Sequence, residues 1–167
     1  MANNILKFFG KFAKSKNPKK NTIGEVIEIK NGGISYIRIT DNGDGIEKSC
    51  IPMAFLRHTT SKIRSIEDLL DLSSLGFRGE ALSSICAVAR VELITKTKDS
   101  PVGYRYCIEG GREMSFDEAG VPDGTTIIVR DLFFNTPARK KFLKSGASEG
   151  NLITELMERL ILSHPEI

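Results

Sequence analysis

Residues 39–46 read ITDNGDGI, with two Asp, one Asn and two Gly between apolar ends. Such a stretch suits a calcium loop, a plain turn or one wall of a nucleotide pocket. An EF-hand loop needs oxygen ligands at its positions 1, 3 and 5 and Glu at position 12. Counted from Asp41, position 3 is Gly43 and position 12 is Pro52, so the spacing excludes the calcium loop. The interpretation as a plain turn is retained, because Asn-Gly and Asp-Gly are ordinary turn dipeptides.

The segments around this stretch alternate between strand and helix patterns. Residues 24–40 (GEVIEIKNGGISYIRIT) place β-formers on both sides of Asn31-Gly32-Gly33, which predicts a hairpin. Residues 90–98, 102–111 and 125–134 are three further strand-like runs separated by turn residues. Helices and a meander of strands together predict an α+β fold, with helices on one face of a mixed, mostly antiparallel sheet.

Helix patterns fill the rest of the chain. Residues 48–63 (KSCIPMAFLRHTTSKI) predict a short helix and a polar loop, and Ser65 is a candidate cap for residues 65–72 (SIEDLLDL). Residues 136–144 (TPARKKFLK) predict a short basic helix. One face of a last, amphipathic helix carries Ile153, Leu156, Met157, Leu160 and Ile161.

A second glycine-bearing segment lies downstream, at residues 74–89 (SLGFRGEALSSICAVA). Gly76, Gly79 and the helix after them could present backbone N–H groups to an anion, and Arg78 adds a charge that pairs with phosphate. The spacing matches neither G-x-x-x-x-G-K-[ST] nor G-x-G-x-x-G, which excludes a P-loop and a Rossmann site. We interpret Cys86, within this segment, as a small core residue.

The bulk composition is that of one domain with a real core. Hydrophobic residues make up 40% of the 167, and no apolar run reaches the roughly 18 residues that would span a membrane. The three Cys are odd in number, far apart and without metal-site spacing, which predicts a reducing, cytoplasmic compartment.

The net charge of +3 is unevenly distributed. Residues 1–20 hold six Lys and no acid, which leaves 18 basic and 21 acidic residues for the remainder. Ile5, Phe8, Phe9 and Phe12 have helical spacing among these lysines, so we interpret residues 1–22 as a basic amphipathic arm and linker ahead of a domain at 23–167. A membrane-surface helix or a phosphate-binding arm is the alternative, but Gly10 and the short length favour a helix docked on the domain.

Four motifs in order resemble the N-terminal ATPase region of the MutL mismatch-repair family: DNGDGI (41–46), RHTTSKI (57–63), LGFRGEALSSI (75–85) and GTTIIVRDLFFNTPARKKFL (124–143). The resemblance covers roughly residues 26–167. It implies the two-layer α/β sandwich of the histidine kinase-like ATPase (Bergerat) type, a superfamily shared with DNA gyrase B subunits. A histidine-kinase relative fits less well, because the third and fourth motifs are MutL-like.

The resemblance also implies roles for individual residues. Asp41 matches a buried carboxylate that accepts a hydrogen bond from the adenine amino group, and Gly43 and Gly45 match glycines that let the backbone approach the ring. Thr126 resembles a strand Thr that supports the same acceptor. Six residues match the lid and the phosphate loop, whose N–H groups wrap the triphosphate: Ser61, Lys62, Gly76, Phe77, Arg78 and Gly79.

Several residues keep two interpretations. Lys62 is either a phosphate contact or a solvated charge. His58 fits a lid residue better than a general base, and Glu80 is expected to be structural at a helix start. A cluster of three basic residues either contacts DNA phosphates or forms a solvated helix end: Arg139, Lys140 and Lys141.

One departure from the family concerns catalysis. The family opens with a helix carrying E-x-x-x-N, in which Glu activates the attacking water and Asn holds Mg²⁺. No Glu or Asp precedes Glu25 here, so no catalytic base and no metal ligand are identified, and enzyme activity is left undecided. We therefore expect a truncated or rearranged copy that binds ATP weakly, hydrolyses it poorly and lacks an identified Mg²⁺ ligand.

The partners that the resemblance implies are adenine nucleotide, mismatch-containing DNA and repair proteins, with no membrane. The family forms homodimers and continues into a second α/β domain and a dimerisation domain, so this chain is expected to be a fragment that could be monomeric. The alternative function is a non-catalytic module that acts through DNA or protein contacts.

Overall fold

The computed structural model describes residues 25–56 and 80–163. Six strands form one sheet in the order β1-β2-β6-β3-β4-β5, and every pairing within it is antiparallel. The strands are β1 (Glu25–Lys30), β2 (Tyr36–Asp41), β3 (Arg90–Lys96), β4 (Gly103–Glu109), β5 (Arg112–Ala119) and β6 (Gly124–Arg130). Because β6 lies between β2 and β3, the chain returns late to the centre of the sheet, and residues far apart in sequence meet there.

The predicted hairpin is confirmed. β1 and β2 pair from Glu25↔Asp41 to Lys30↔Tyr36, and a short 3-10 turn at Asn31–Gly33 connects them. Gly32 has φ +62, and a Cβ there would lie 2.3 Å from the carbonyl oxygen of Gly146. The turn needs glycine both for its left-handed backbone and because a helix begins directly against it.

Three helices are described, α1 (Ala81–Cys86), α2 (Pro137–Lys140) and α3 (Gly146–Ser163). The inner face of the sheet, with Ile37, Ile39 and Leu93 among its residues, forms the core together with residues such as Leu82 and Ile153. Cys86 is buried in this core, as predicted. Within the described ranges, no helix is long and apolar enough to cross a membrane.

The outer face of the sheet is charged. Glu92 is only 7% exposed, and it receives hydrogen bonds from Arg105 Nε at 2.5 Å and Arg130 Nη1 at 2.7 Å. Arg38 and Glu28 form a further ion pair at 3.1 Å on the neighbouring strands. Ion pairs thus cover the outer face while apolar side chains fill the inner one, which is the alternation expected of a sheet with helices on one side.

The structure differs from the sequence-based expectation in several elements, among them β5, residues 131–134 and α3. β5 was not predicted, because this edge strand is largely exposed and its residues (REMSFDEA) show no continuous apolar face. Residues 131–134 extend no strand, since Asp131 and Phe133 have φ of +53 and +64 and turn the chain away. On α3, Ile153 is buried and Leu156, Met157 and Leu160 are partly buried, whereas Ile161 is 60% exposed.

Residues 48–56 form two short 3-10 helices in place of the predicted short helix, at Lys48–Cys50 and Pro52–Phe55. The arm at 1–22, the segment capped by Ser65 and the glycine-bearing loop up to Gly79 lie outside the described residues.

Candidate nucleotide-binding site

Asp41 ends β2 as a buried carboxylate, 9% exposed. Its Oδ1 accepts two backbone hydrogen bonds, from the N–H of Gly43 at 2.8 Å and from the N–H of Thr125 at 3.2 Å. Among the described residues, none donates to Oδ2. One oxygen therefore fixes the orientation of the carboxylate, and the other receives no hydrogen bond from the described residues.

Burial raises the pKa of Asp41 above its usual value. The backbone hydrogen bonds from Gly43 and Thr125 lower it and oppose this effect, while the charge of the exposed Asp44 raises it further. Burying a carboxylate without a counter-ion is unfavourable, so a fold that keeps one at this position retains it at a cost in stability.

Asp41 belongs to a row of polar residues that crosses the inner face of the sheet. Asp41 lies opposite Thr125 in the β2–β6 pair, and Thr125 lies opposite Thr95 in the β6–β3 pair. All three side chains are buried, and the next row into the core is apolar, with Ile39, Ile127 and Leu93. The polar row therefore marks the end of the core at one end of the central strands.

The loop after β2 is held against this row. The N–H of Ile46 donates to Thr95 Oγ1 at 2.9 Å. Gly45 has φ +74, and a Cβ there would lie 2.1 Å from the carbonyl oxygen of Lys96, so only glycine fits. Asp44 is exposed at a bend of this loop.

The glycines of the loop have more specific positions than the sequence suggested. They were expected to let the backbone approach a ring. In the structure Gly43 supplies an N–H to Asp41, and Gly45 lets the loop pack on the end of β3. Both glycines therefore position the backbone around Asp41.

Thr126 does not contact Asp41. Its Oγ1 lies 3.0 Å from Oγ1 of Thr40 on the other face of the sheet, because neighbouring strand residues point to opposite faces. The residue of β6 that supports Asp41 is Thr125, through its N–H. Sequence reasoning missed both Thr125 and Thr95, although Thr125 shares the two-residue period of the core residues Ile127 and Val129.

The remaining candidate residues divide into two groups. Those of the lid and phosphate loop lie outside the described ranges: His58, Ser61, Lys62, Gly76, Phe77, Arg78 and Gly79. Glu80 immediately precedes α1 and is exposed. The basic residues Arg139, Lys140 and Lys141 are exposed on and just after α2. β6 runs from the polar row toward α2, so these basic residues lie at the end of the sheet away from Asp41.

A cavity of about 730 Å³ lies beyond the loop, at the same end of the sheet as Asp41. Its walls include Ile46, Pro52 and Tyr104, and Tyr104 lies opposite Thr95 in the β3–β4 pair. The ammonium of Lys48 sits 4.8 Å from the centre of the Tyr104 ring. The cavity is therefore next to the end of the polar row, but its walls do not include Asp41, Thr125 or Thr95.

Metal ligands are sparse in this region. Within residues 25–56 and 80–163, no three His, Cys, Asp or Glu side chains group together as a metal site would require. The described residues around Asp41 therefore do not fit Mg²⁺ on their own.

The curated sequences and the solved structures that are similar to this chain include MutL proteins. The chain is 66% identical over 141 residues to the DNA mismatch repair protein MutL of Agathobacter rectalis, and 53% identical over 147 residues to that of Clostridium botulinum. These matches cover 84% and 88% of the chain but 22% of each relative. Among solved structures, the Aquifex aeolicus MutL ATPase domain complexed with ADP matches with a TM-score of 0.64 and 31% identity, over 86% of this chain and 49% of that one. No protein-family model matches the chain.

Proposed function

The chain belongs to the MutL family, in the region that forms the ATPase domain of its solved relatives, and on this premise we propose that it binds an adenine nucleotide at Asp41. The observation that carries the proposal is the Asp41 carboxylate, buried at the end of β2 with Oδ1 bound by two N–H groups and Oδ2 without a donor among the described residues. A solved relative at 31% identity was captured with ADP.

The chemistry of this carboxylate selects for adenine. An ionised Oδ2 accepts a hydrogen bond from the N–H of an exocyclic amino group, which adenine carries at position 6. Guanine has a carbonyl at that position, and two acceptors facing each other in a buried site leave both unpaired. A hydrogen bond to a charged group contributes about 1.5–3 kcal/mol, which corresponds to about 10–150-fold in affinity.

Hydrolysis is proposed to be weak in this chain. The 24 residues before β1 contain no Asp or Glu, so the E-x-x-x-N motif that supplies the family's base and metal ligand does not occur in them. The described residues do not offer a replacement metal site. Nucleotide would then act by binding alone.

The biological role that we propose is a nucleotide-driven conformational switch in DNA mismatch repair, which in the whole protein works through DNA, repair proteins and dimerisation. The chain spans 22% of the length of its curated relatives, so these partners are inferred for the longer proteins that share this domain. Cys50, Cys86 and Cys107 are all free thiols, which supports a reducing, cytoplasmic location.

The test is a thermal melt of wild type and Asp41→Asn with ATP or GTP. Asn keeps an oxygen for the two N–H donors and places an NH₂ toward the ligand. At 100 times Kd a ligand stabilises the fold by about 2.7 kcal/mol, which raises Tm by about 5–10 °C for a chain of this size. We expect this rise in Tm for wild type with ATP only. A rise of the same size for wild type with GTP, or a rise with ATP that is retained in Asp41→Asn, would refute the proposal.

A second candidate function, DNA contact, is favoured by the surface after β6. Within the described part of the chain, Arg139, Lys140, Lys141 and Lys144 are exposed and make no ion pair. Phe142 stands among them and is 87% exposed. Uncompensated cations around an exposed aromatic ring suit a polyanion with stackable bases.

Fluorescence anisotropy with a labelled oligonucleotide tests this candidate across a salt series. Reversing one cation with Lys140→Glu is expected to weaken binding and reduce the salt slope by about one. Lys48→Glu makes the same change of charge at the opposite end of the sheet and is the matched control. Equal effects of the two variants would show that only net charge matters and would remove the case for this surface.

A further inference from the structure

Thr95 is a buried hydroxyl at a junction of three segments. It is 1% exposed, and its Oγ1 lies within hydrogen-bond distance of the Ile46 N–H at 2.9 Å, the Gly124 carbonyl at 2.9 Å and the Thr125 hydroxyl at 3.2 Å. These partners come from the loop after β2 and from the start of β6. One side chain of β3 thus connects both parts of the chain that surround Asp41.

The number of protons at this junction fixes the direction of each hydrogen bond. A threonine hydroxyl donates once and accepts twice. The Gly124 carbonyl can only accept, so the Thr95 proton points to it, and the Ile46 N–H can only donate. The remaining lone pair of Thr95 is then paired by the hydroxyl proton of Thr125. The opposite direction would leave the Thr95 and Gly124 oxygens facing each other at 2.9 Å without a proton between them.

This assignment determines what Thr125 can offer a ligand. With its proton directed to Thr95, the Thr125 oxygen can only accept further hydrogen bonds. Thr125 lies directly across the β2–β6 pair from Asp41, on the same face of the sheet, so two acceptors stand side by side. A site of this kind favours a ligand edge with N–H donors and disfavours a carbonyl.

We propose that Thr95 is a positioning residue that sets the nucleobase specificity of the pocket, by holding Thr125 as an acceptor and the Gly43–Ile46 loop against the sheet. The inference rests on the proposed adenine-nucleotide function. In the polar row Thr125 lies between Thr95 and Asp41. Its effect therefore reaches the base through the orientation of its neighbours.

Thr95→Val preserves the shape of the side chain but removes the hydroxyl. The Ile46 N–H and the Gly124 carbonyl lose their partner, and the Thr125 hydroxyl becomes free to rotate and donate toward the pocket. A carbonyl at position 6 of the base then meets one donor beside the Asp41 carboxylate, which weakens the rejection of GTP. Thr95→Ser keeps the hydroxyl and is expected to keep the specificity.

The experiment measures the dissociation constants of ATP and GTP for wild type, Thr95→Val, Thr95→Ser and Thr40→Val. Thr40→Val removes a hydroxyl from the pair with Thr126 on the outer face and is the matched control. We expect Thr95→Val to reduce the ATP-to-GTP preference by about 5–10-fold, which is the scale of one hydrogen bond between neutral groups. The other two variants should stay within about threefold of wild type. Amide exchange of Ile46 should be accelerated in Thr95→Val and unchanged in Thr95→Ser.

The outcomes separate the two proposals. A folded Thr95→Val that discriminates like wild type overturns the role of Thr95 and leaves the nucleotide function standing. A wild-type chain that binds neither nucleotide overturns both. If Thr95→Val does not fold, Thr125→Val removes the second acceptor directly and is expected to lose the same discrimination, and unchanged discrimination in that variant would overturn the inference.

Discussion

Replacing Gly45 with alanine tests how closely the loop after β2 must approach the sheet. The new Cβ would lie 2.1 Å from the Lys96 carbonyl oxygen and 2.9 Å from the Thr97 nitrogen, both backbone atoms that cannot rotate away. The φ of +74 adds about 1–2 kcal/mol of conformational cost for a residue with a side chain. Overpacking adds about 1–3 kcal/mol. We therefore expect Gly45→Ala to lower the free energy of unfolding by about 2–5 kcal/mol in urea denaturation, and to weaken nucleotide binding because the loop supports Asp41.

Two other glycines separate these contributions. Gly111 has φ +81, but its nearest neighbour is 4.0 Å from an added Cβ, so Gly111→Ala should show the conformational cost alone. Gly120 has no atom within 4 Å and no positive φ, so Gly120→Ala should change stability by less than about 0.5 kcal/mol. If Gly45→Ala were no more destabilising than Gly111→Ala, the close contact with Lys96 would not constrain the loop, and the explanation for Gly45 would fail.

Three further predictions concern charge and exposure. Burial raises the pKa of Glu92, but hydrogen bonds from Arg105 and Arg130 outweigh this and hold the pKa below its ordinary value. The stabilisation from Glu92 is therefore present above the pKa of the unfolded chain and is lost as pH falls through the folded pKa. Glu92→Gln should cost about 1–3 kcal/mol at pH 7 and flatten the acid loss of stability in urea titrations. Burial raises the pKa of Asp41, so this side chain favours the fold only while it is protonated, and that contribution is lost as pH rises through the folded pKa. Without ligand, Asp41→Asn should therefore have a Tm at or above that of wild type at pH 7, and the difference should shrink as the pH is lowered. A lower Tm for Asp41→Asn at pH 7 would contradict this. Phe142→Ser should leave the free energy of unfolding within about 0.5 kcal/mol of wild type, because the ring is 87% exposed.

The sequence predicted the features that depend on local pattern. The hairpin around residues 31–33 follows from a two-residue period on both sides of a glycine turn, and both are visible in a few residues. The position of Asp41 at the end of β2 follows from the same pattern. By contrast, β5 was missed because an edge strand with charged residues on both faces has the composition of a loop.

The part of the site that escaped prediction depends on register across strands. Whether Thr125 or Thr126 faces Asp41 is decided by the phase of β6, which buries Ile127 and Val129 on the same face as Thr125. Thr95 meets partners from residues 46, 124 and 125, and no local pattern connects these segments before the sheet is assembled. Such contacts follow from the strand order, in which β6 inserts between β2 and β3.

The most direct test of the central claim, that Asp41 reads the amino group of adenine, is isothermal titration of the wild-type chain with ATP and with purine riboside triphosphate. The second ligand carries hydrogen in place of the amino group, so it loses the N–H donors without adding bulk. We predict binding of ATP at one site per chain and about 10–150-fold weaker binding of the analogue, the value of a hydrogen bond to a charged carboxylate. Equal affinities for the two ligands, or no binding of ATP, would contradict the claim.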